Sequence, residues 1–323
     1  MKGKSDKVMS LEEVVSRYVI DGCSVAYGGL AGREPMAVSY EIVRQKKRNL
    51  TFVTDTTVDA AEILIAGGTL KKVECAYIWV GVVGSGLNYR RAMEKGVPCY
   101  LETEEYSNYG CSMRFMAGAL GLPYMPTKSL LGSDIVTHNP KIKVVEDFYG
   151  TGPIAFVPAS NPDVAFIHVQ RADKTGNAQI WGMLANDDNL CRAAKNVVLT
   201  CEEIISTKEI RKIPNMTAIP SYCVSAVVGA PYCCHPLPVA GYYWMDIPFR
   251  RQIVGASKTR GGINAWMNEW IYGVKNFDEY KEKVGLDRLA KLREMEHDNY
   301  QIPTIAAKEL AIRYTQKISQ PLN

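Results

Sequence analysis

The chain has 323 residues, of which 47% are hydrophobic and 22% charged, and this composition predicts a globular protein with a large buried core. Its net charge of +4 comes from 38 basic and 34 acidic residues dispersed along the chain, which argues against a nucleic-acid-binding protein. No run of about 18 apolar residues occurs, so we expect no membrane span. The charged start, Met1 to Lys7, lacks an apolar signal segment, and the nine cysteines have no repeated spacing, which together predict a cytoplasmic protein.

The N-terminal half alternates short apolar runs with helical patterns. Ser10 and Glu13 have the spacing of a capping box, which predicts a helix from there to about Val19. Strands separated by helices of this length predict an α/β fold, with an open, mostly parallel sheet and flanking helices. The predicted strands are 23–27, 50–54, 72–80 and 98–102, and the predicted helices are 35–47, 59–66, 87–95 and 108–120.

The C-terminal half begins with a long irregular connection, about 121–152, in which glycines and prolines interrupt any amphipathic period. Beyond it we predict strands at 154–157, 164–169 and 197–201, helices near 187–195 and 202–212, and an apolar run at 222–230. The tail from about Asp278 is polar and helical in pattern, and its end is predicted to be disordered. We therefore expect one domain over 1–290 and a helical, polar tail over 291–323.

A glycine pair follows the first predicted strand. Gly28 and Gly29, with Leu30, allow backbone N–H groups to approach a ligand carbonyl or phosphate at the start of the next helix. A tight strand-to-helix turn explains the same pattern equally well. The dinucleotide fingerprint would require glycine where Leu30 stands, so a nicotinamide-dependent Rossmann enzyme is disfavoured.

Two further sites lie at predicted strand ends. Ser85, in a second glycine-rich turn, could donate a hydrogen bond to a bound carboxylate or serve as a helix N-cap, and the cap is favoured. Glu102, Glu104 and Glu105 are close enough to repel one another, which predicts a raised pKa for at least one of them in a dry site. The favoured interpretation is that they complement the dipole of the following helix.

Cys223, Cys233, Cys234 and His235 resemble a set of metal ligands. The paired Cys-x₂₋₄-Cys spacing of zinc sites is missing, and adjacent cysteines rarely bind one ion together. We therefore predict neither a metal nor another cofactor.

The order of landmarks resembles the A subunit of glutaconate CoA-transferase, a member of the family I CoA-transferases, through about residue 290. The resemblance rests on segments that occur in the same order: 25–29, Arg33, Pro35, 104–107, 119–123, 180–182, 198–206, 230–232 and 235–236.

The resemblance implies an open α/β subunit that pairs with a related B subunit, in an A₂B₂ or larger assembly. In this family a glutamate attacks the acyl-CoA thioester and then carries CoA as a glutamyl thioester, while coenzyme A enters only as part of the substrate. In two-subunit members that glutamate lies on B within a Ser-Glu-Asn-Gly-like segment, and this chain has no such segment. We therefore expect the chain to need its partner for catalysis, with an acyl-CoA and a carboxylate as substrates.

The resemblance also assigns roles to individual residues. Gly28, Gly29 and Leu30 match the glycine turn beside the active glutamate, where N–H groups would stabilise an oxyanion. Arg33 matches a basic residue that could hold an acyl carboxylate, which would favour a dicarboxylic acyl group, and Ser85 falls in the region that lines the acyl pocket. Cys233 and Cys234 stand where a small Gly-Ala pair is expected, which leaves the acyl group open.

Two alternatives remain. A related branch of ring-opening acyl-CoA hydrolases lacks the B-subunit glutamate and uses one on its A-type subunit, in the stretch that matches Glu105. The other alternative is a non-catalytic subunit that binds acyl-CoA.

Overall fold

A computed structural model describes residues 6–30 and 32–299 of the chain. Its helices are α1 (Leu11–Tyr18), α2 (Met36–Arg44), α3 (Asp59–Ala66), α4 (Leu87–Lys95), α5 (Asn108–Leu120), α6 (Ile135–His138), α7 (Asp187–Ala193), α8 (Thr207–Lys212), α9 (Ile247–Ser257), α10 (Arg260–Met267), α11 (Phe277–Val284) and α12 (Leu286–Asn299). Its strands are β1 (Ser24–Tyr27), β2 (Leu50–Val53), β3 (Thr56–Thr57), β4 (Leu70–Cys75), β5 (Tyr77–Ile78), β6 (Glu102–Glu105), β7 (Tyr124–Thr127), β8 (Lys143–Glu146), β9 (Pro153–Pro158), β10 (Val164–Asp173), β11 (Ala178–Gln179), β12 (Asn196–Ile205), β13 (Thr217–Ile219) and β14 (Ala226–Gly229).

The main sheet is mostly parallel. Seven strands run in the order β14-β12-β10-β1-β2-β4-β6, and all six pairings between them are parallel. The antiparallel strands β11 and β13 continue the sheet along the far end of β10, beyond its pairing with β1. Helices flank this sheet, and the predicted α/β fold is confirmed.

Several local predictions are confirmed because local signals and tertiary packing agree. The helices predicted at 59–66, 87–95 and 108–120 are α3, α4 and α5. At the start of α1, the Ser10 hydroxyl accepts the Glu13 N–H at 3.1 Å, and the Glu13 carboxylate accepts the Ser10 N–H at 2.8 Å. The predicted capping box is therefore present.

Other boundaries were wrong. The strand predicted at 98–102 is β6, displaced to Glu102–Glu105, and the strand predicted at 72–80 is divided between β4 and β5. The helix predicted to begin at 202 begins at Thr207, since β12 continues to Ile205 in its ladder with β10. Nine registered pairs hold β12 against β10, and this pairing overrides the helix propensity of its two glutamates.

The connection at 121–152 was predicted to be irregular, and it contains regular structure instead. β7 and β8 lie there, and both pair antiparallel with β9 in a separate three-stranded sheet. The short helix α6 also falls within it. The prediction missed these strands because each is only four residues long. The prolines and glycines of this connection also interrupt any regular apolar pattern.

The C-terminal helices pack against the N-terminal half of the chain. On α9, Arg250 is buried, and its Nη2 lies 2.7 Å from the carboxylate of Asp59 at the start of α3. The same nitrogen donates to the carbonyl oxygen of Val80 at 2.6 Å. The last described helix, α12, crosses position 290, and the predicted tail from 300 onward lies outside the described residues. None of the helices that the structure describes is both long and apolar enough to cross a bilayer.

Candidate functional site

The glycine turn lies where β1 ends. Gly28 donates its N–H to the carbonyl oxygen of Phe166 on β10 at 3.0 Å, which continues the sheet ladder by one residue. Gly29 has a positive φ of 79° and donates its N–H to Oδ1 of Asp187 at 2.8 Å. A Cβ atom on Gly28 would lie 2.1 Å from that same oxygen, and one on Gly29 would lie 2.6 Å from the carbonyl oxygen of Arg33. Both positions therefore require glycine.

A buried ion pair fixes this turn from below. Nη2 of Arg33 lies 2.6 Å from Oδ2 of Asp187, and the two side chains are almost inaccessible to solvent. Arg33 also donates to the carbonyl oxygens of His168 and Met183, at 2.6 and 2.7 Å. Burial raises the pKa of Asp187, while the Arg33 charge and the Gly29 N–H act against that rise. The pair thus joins the turn to β10 and to the loop before α7.

A hydrogen bond joins the loop before α7 to the end of a second strand, β2. Asn186 donates its side-chain amide to Oδ2 of Asp55, just beyond β2, at 2.8 Å. The other oxygen of Asp55 accepts the N–H of Thr56 at 2.6 Å. Burial raises the pKa of Asp55, and these two hydrogen bonds oppose the shift. The carboxyl ends of β1 and β2 are therefore braced by one loop, as expected where parallel strands end together.

These contacts bear on the binding roles that were predicted for the residues of the glycine turn and for Arg33. The N–H groups of Gly28 and Gly29 are bonded within the chain, to Phe166 and Asp187, and the oxyanion role expected of them stays a prediction. Leu30 differs, because its N–H has no hydrogen-bond partner within the part of the chain that the structure describes. Arg33 is buried, with 4% of its surface exposed, and its charge is compensated by Asp187.

Ser85 does not cap a helix. It is exposed, and the N-cap of α4 is Gly86. At this helix start, the backbone N–H groups of Asn88 and Tyr89 donate to the buried carboxylate of Glu62, both at 2.8 Å. Burial raises the pKa of Glu62 to about 7, against the effect of these two hydrogen bonds. The predicted cap was wrong because a carboxylate from α3 satisfies the donors that Ser85 would have served.

Glu34, next to Arg33 in sequence, plays the equivalent part for α3. Its carboxylate accepts the N–H groups of Val58 and Ala60 at 2.8 and 3.1 Å. Burial raises the pKa of Glu34 to about 8, although both hydrogen bonds lower it. Glu34 is therefore committed to a helix start and is not exposed to a substrate.

A cavity of about 260 Å³ opens beside Leu30. Its wall is mostly apolar and is formed by Gly29, Leu30, Gly32, Arg33, Trp181, Gly182, Met183, Pro238, Ala240, Trp244 and Glu296. Met183 is 60% exposed at the rim. Trp181 and Gly182, from the segment 180–182, thus line the same cavity as the glycine turn.

Glu105 lies in a different place, in a cleft of about 680 Å³ at the edge strand β6. It is exposed, and the far wall of the cleft is the segment from Asp134 to Lys141. Between β6 and β1 stand β4 and β2. With neighbouring strands about 4.8 Å apart, Glu105 is roughly 14 Å from the strand that carries the glycine turn.

The other glutamates of β6 do not open a helix, because α5 begins at Asn108 with Ser107 as its cap. Glu104 is buried and is paired with Lys72 and Lys141. Burial alone would raise its pKa, but these lysines and the hydroxyl of Tyr106 lower the pKa of Glu104 to about 2. The rise expected from repulsion does not occur at Glu104, since Lys72 and Lys141 compensate its own charge.

Cys233 and Cys234 are fully buried. His168 lies beside them, with Nδ1 2.9 Å from the Thr200 hydroxyl and Nε2 3.0 Å from Glu202. Burial raises the pKa of the Cys233 thiol, but hydrogen bonds from Cys234 and His168 outweigh it and lower that pKa overall. Among the described residues, no group of three or more His, Cys, Asp or Glu side chains is arranged to hold a metal ion.

Comparison with known proteins matches residues 8–230 to the family model described as coenzyme A transferase. An uncharacterized protein of Archaeoglobus fulgidus is 41% identical over 90% of this chain, and the match spans 65% of that protein's length. The A subunit of glutaconate CoA-transferase from Acidaminococcus fermentans is 35% identical over 89% of this chain and 94% of its own. The crystal structure of that enzyme superposes with a TM-score of 0.85, over 89% of this chain and 95% of the matched one.

Two more comparisons bear on substrate and reaction. The A subunit of 3-oxoadipate CoA-transferase from Pseudomonas knackmussii is 35% identical over 86% of this chain and 98% of its own. The cholesterol ring-cleaving hydrolase IpdA subunit of Rhodococcus jostii is more distant, with 28% identity over 88% of this chain and 97% of its own.

Proposed function

Because the chain belongs to the coenzyme A transferase family, we propose that it is the A subunit of a heteromeric enzyme that moves CoA from an acyl-CoA to acetate or another carboxylate. Its similarity to two A subunits of CoA-transferases, each along nearly their whole length, supports this role.

One observation carries the need for a partner. Among the described residues, four carboxylates lie near the glycine turn or line its cavity, and each is bound within the chain: Asp187 by Gly29 and Arg33, Asp55 by Thr56 and Asn186, Glu34 by the start of α3, and Glu296 by Gly241. A nucleophile must be unencumbered and within about 3 Å of the carbonyl that it attacks. The turn therefore supplies a binding surface, and a glutamate from a B-type chain supplies the nucleophile.

The proposed reaction balances without any further reagent. A glutamate oxygen of the partner attacks the thioester carbon, and the N–H of Leu30 donates to the oxyanion that forms. The C–S bond breaks, the CoA thiolate departs, and an acyl-glutamyl anhydride remains. The thiolate then attacks the glutamyl carbonyl, which releases the first carboxylate and forms the glutamyl-CoA thioester. A second carboxylate reverses these steps and leaves as the new acyl-CoA, with the glutamate restored.

We further propose an A₂B₂ or larger assembly and a cytoplasmic location. A shared site favours symmetric pairing of A/B units. All nine cysteines are free, including the exposed Cys99, as expected in a reducing compartment. Coenzyme A enters as substrate, and the reaction as written uses no other cofactor.

The test is to isolate the full chain in complex with its B-type partner and to measure transfer of CoA from an acyl-CoA to labelled acetate. Borohydride should inactivate the complex only after acyl-CoA is added, because it reduces the glutamyl thioester to an alcohol. Peptide mass spectrometry should place that alcohol on the partner. Activity of the isolated chain alone would contradict the proposal.

Two outcomes would favour the alternatives instead. Release of free CoA without an acceptor would support the hydrolase alternative. The distant similarity to the IpdA subunit is the observation behind that alternative. Binding of acyl-CoA by the complex without exchange or hydrolysis would support a non-catalytic subunit.

A further inference from the structure

The cavity beside Leu30 carries information about the acyl group, on the premise that the proposed function holds. We propose that the acyl group is short and uncharged, and that it binds in this cavity with its chain against Trp181, Met183 and Trp244.

The size of the cavity sets the length. A water molecule takes a share of about 30 Å³ in the liquid, which already includes the space between molecules. At that share for each carbon-sized group, a cavity of about 260 Å³ holds roughly eight of them. This favours short acyl groups, of up to roughly eight carbons.

The residues that line the cavity indicate the polarity of the acyl group that binds there. Besides three glycines, the cavity wall presents Leu30, Trp181, Met183, Pro238, Ala240 and Trp244. An aliphatic chain gains free energy for each methylene that it removes from water against such a surface. A terminal carboxylate in the same place would lose its hydration and would need a cation in return.

The basic side chain that could bind such a carboxylate, that of Arg33, is already paired with Asp187. Arg33 is the one basic residue among the described residues that line the cavity, and Asp187 lies 2.6 Å from its guanidinium. The remaining charged residue of the wall is Glu296, an acidic side chain whose carboxylate accepts the N–H of Gly241 at 2.6 Å. Because Asp187 already neutralises Arg33, the described wall offers no positive charge to an acyl carboxylate. This pairing favours a structural role for Arg33 over the role of carboxylate ligand that the resemblance implies.

A matched pair of substrates tests the proposal. Pentanoyl-CoA and glutaryl-CoA have the same chain length and differ by a terminal methyl or carboxylate group. With the A/B complex and acetate as acceptor, kcat/KM should be at least tenfold higher for pentanoyl-CoA. Equal values, or faster turnover of glutaryl-CoA, would overturn the inference.

The pocket assignment and the proposed function fail in different ways. Exchange with acetyl-CoA but with neither longer substrate would overturn the pocket assignment and leave the proposed function standing. Exchange with no acyl-CoA at all would overturn the proposed function itself.

A charge added at the rim provides a second test. Met183→Arg places a cation at the mouth of the cavity without disturbing the Met183 carbonyl that Arg33 uses, and should raise the glutaryl-to-pentanoyl ratio of kcat/KM about tenfold. Met93→Arg makes the same change on a partly exposed residue of α4 that does not line the cavity, and should leave the ratio as it was. An unchanged ratio in Met183→Arg, or an equal change in both variants, would show that the acyl group binds elsewhere.

Discussion

Asp187 and Arg33 form a buried ion pair with 2.6 Å between Oδ2 and Nη2, and the second carboxylate oxygen of Asp187 accepts the N–H of Gly29. One side chain thereby neutralises a charge and fixes the glycine turn. The N–H of Gly29 is thereby bonded within the chain, whereas the N–H of Leu30 has no hydrogen-bond partner among the described residues.

Replacement of Asp187 by Asn should lower the free energy of unfolding by about 3 kcal/mol, because Arg33 would remain buried without its counter-charge. Urea unfolding of the full chain at pH 7 measures this change. Asp188→Asn alters the next, partly exposed residue, which has no ion pair in the described structure, and should change the free energy by less than about 0.5 kcal/mol. Equal effects of the two substitutions would show that the ion pair does not stabilise the fold.

Gly28→Ala should be destabilising by more than about 2 kcal/mol, since its Cβ would lie 2.1 Å from Oδ1 of Asp187. The matched control is Gly255→Ala on α9, where a Cβ meets nothing within 4 Å and where alanine should stabilise by about 0.5 kcal/mol. Thermal unfolding of both variants provides the comparison. A Gly28→Ala protein as stable as wild type would place the Asp187 carboxylate elsewhere.

Glu105→Gln should leave CoA transfer within about twofold of wild type, because Glu105 is roughly 14 Å from the strand that carries the turn. Glu102→Gln, on the same strand and also exposed, controls for the loss of one surface charge. The measurement is kcat/KM for acyl exchange by the A/B complex. A loss of about 100-fold or more in Glu105→Gln alone would favour the hydrolase mechanism.

The lysine pairing of Glu104 predicts a pH dependence of stability. Its pKa is lowered to about 2 in the folded protein, from an ordinary value near 4.5, so the unfolded chain binds the proton more readily. The stabilisation is therefore complete above pH 4.5 and is lost as the pH falls through 2. Glu104→Gln should lower the free energy of unfolding at pH 7 by roughly 2 kcal/mol, a figure discounted for the half-exposed Lys141, and the difference from wild type should shrink between pH 4.5 and 2. Urea titrations at pH 7, 4.5 and 3 measure this, and a pH-independent difference would contradict it.

The sequence predicted elements well where the local signal and the final packing agree. The helix at 59–66 carries its own apolar pattern and is found as predicted. β6 was displaced because its sequence, Glu-Thr-Glu-Glu, has low strand propensity, and only its ladder with β4 and the lysine pairing of Glu104 stabilise it as a strand.

The site was predicted only in part, for a related reason. Glycines that need special backbone geometry leave a local mark, and Gly28 and Gly29 lie in the turn as expected. Asp187 leaves none, because it is 158 residues from Gly29 and resembles any acidic residue at a helix start. Glu62 was missed in the same way, since the donors that it binds lie 26 and 27 residues further along the chain.

The contact between Arg250 and Asp59 limits how the chain can be shortened. A fragment that ends at residue 230, where the family match ends, would retain Asp59 and lose the guanidinium that neutralises it, together with the helices that cover α3. We therefore expect the helices beyond residue 230 to stabilise the fold, because their removal would take away the counter-charge of Asp59 and expose the surface that they cover.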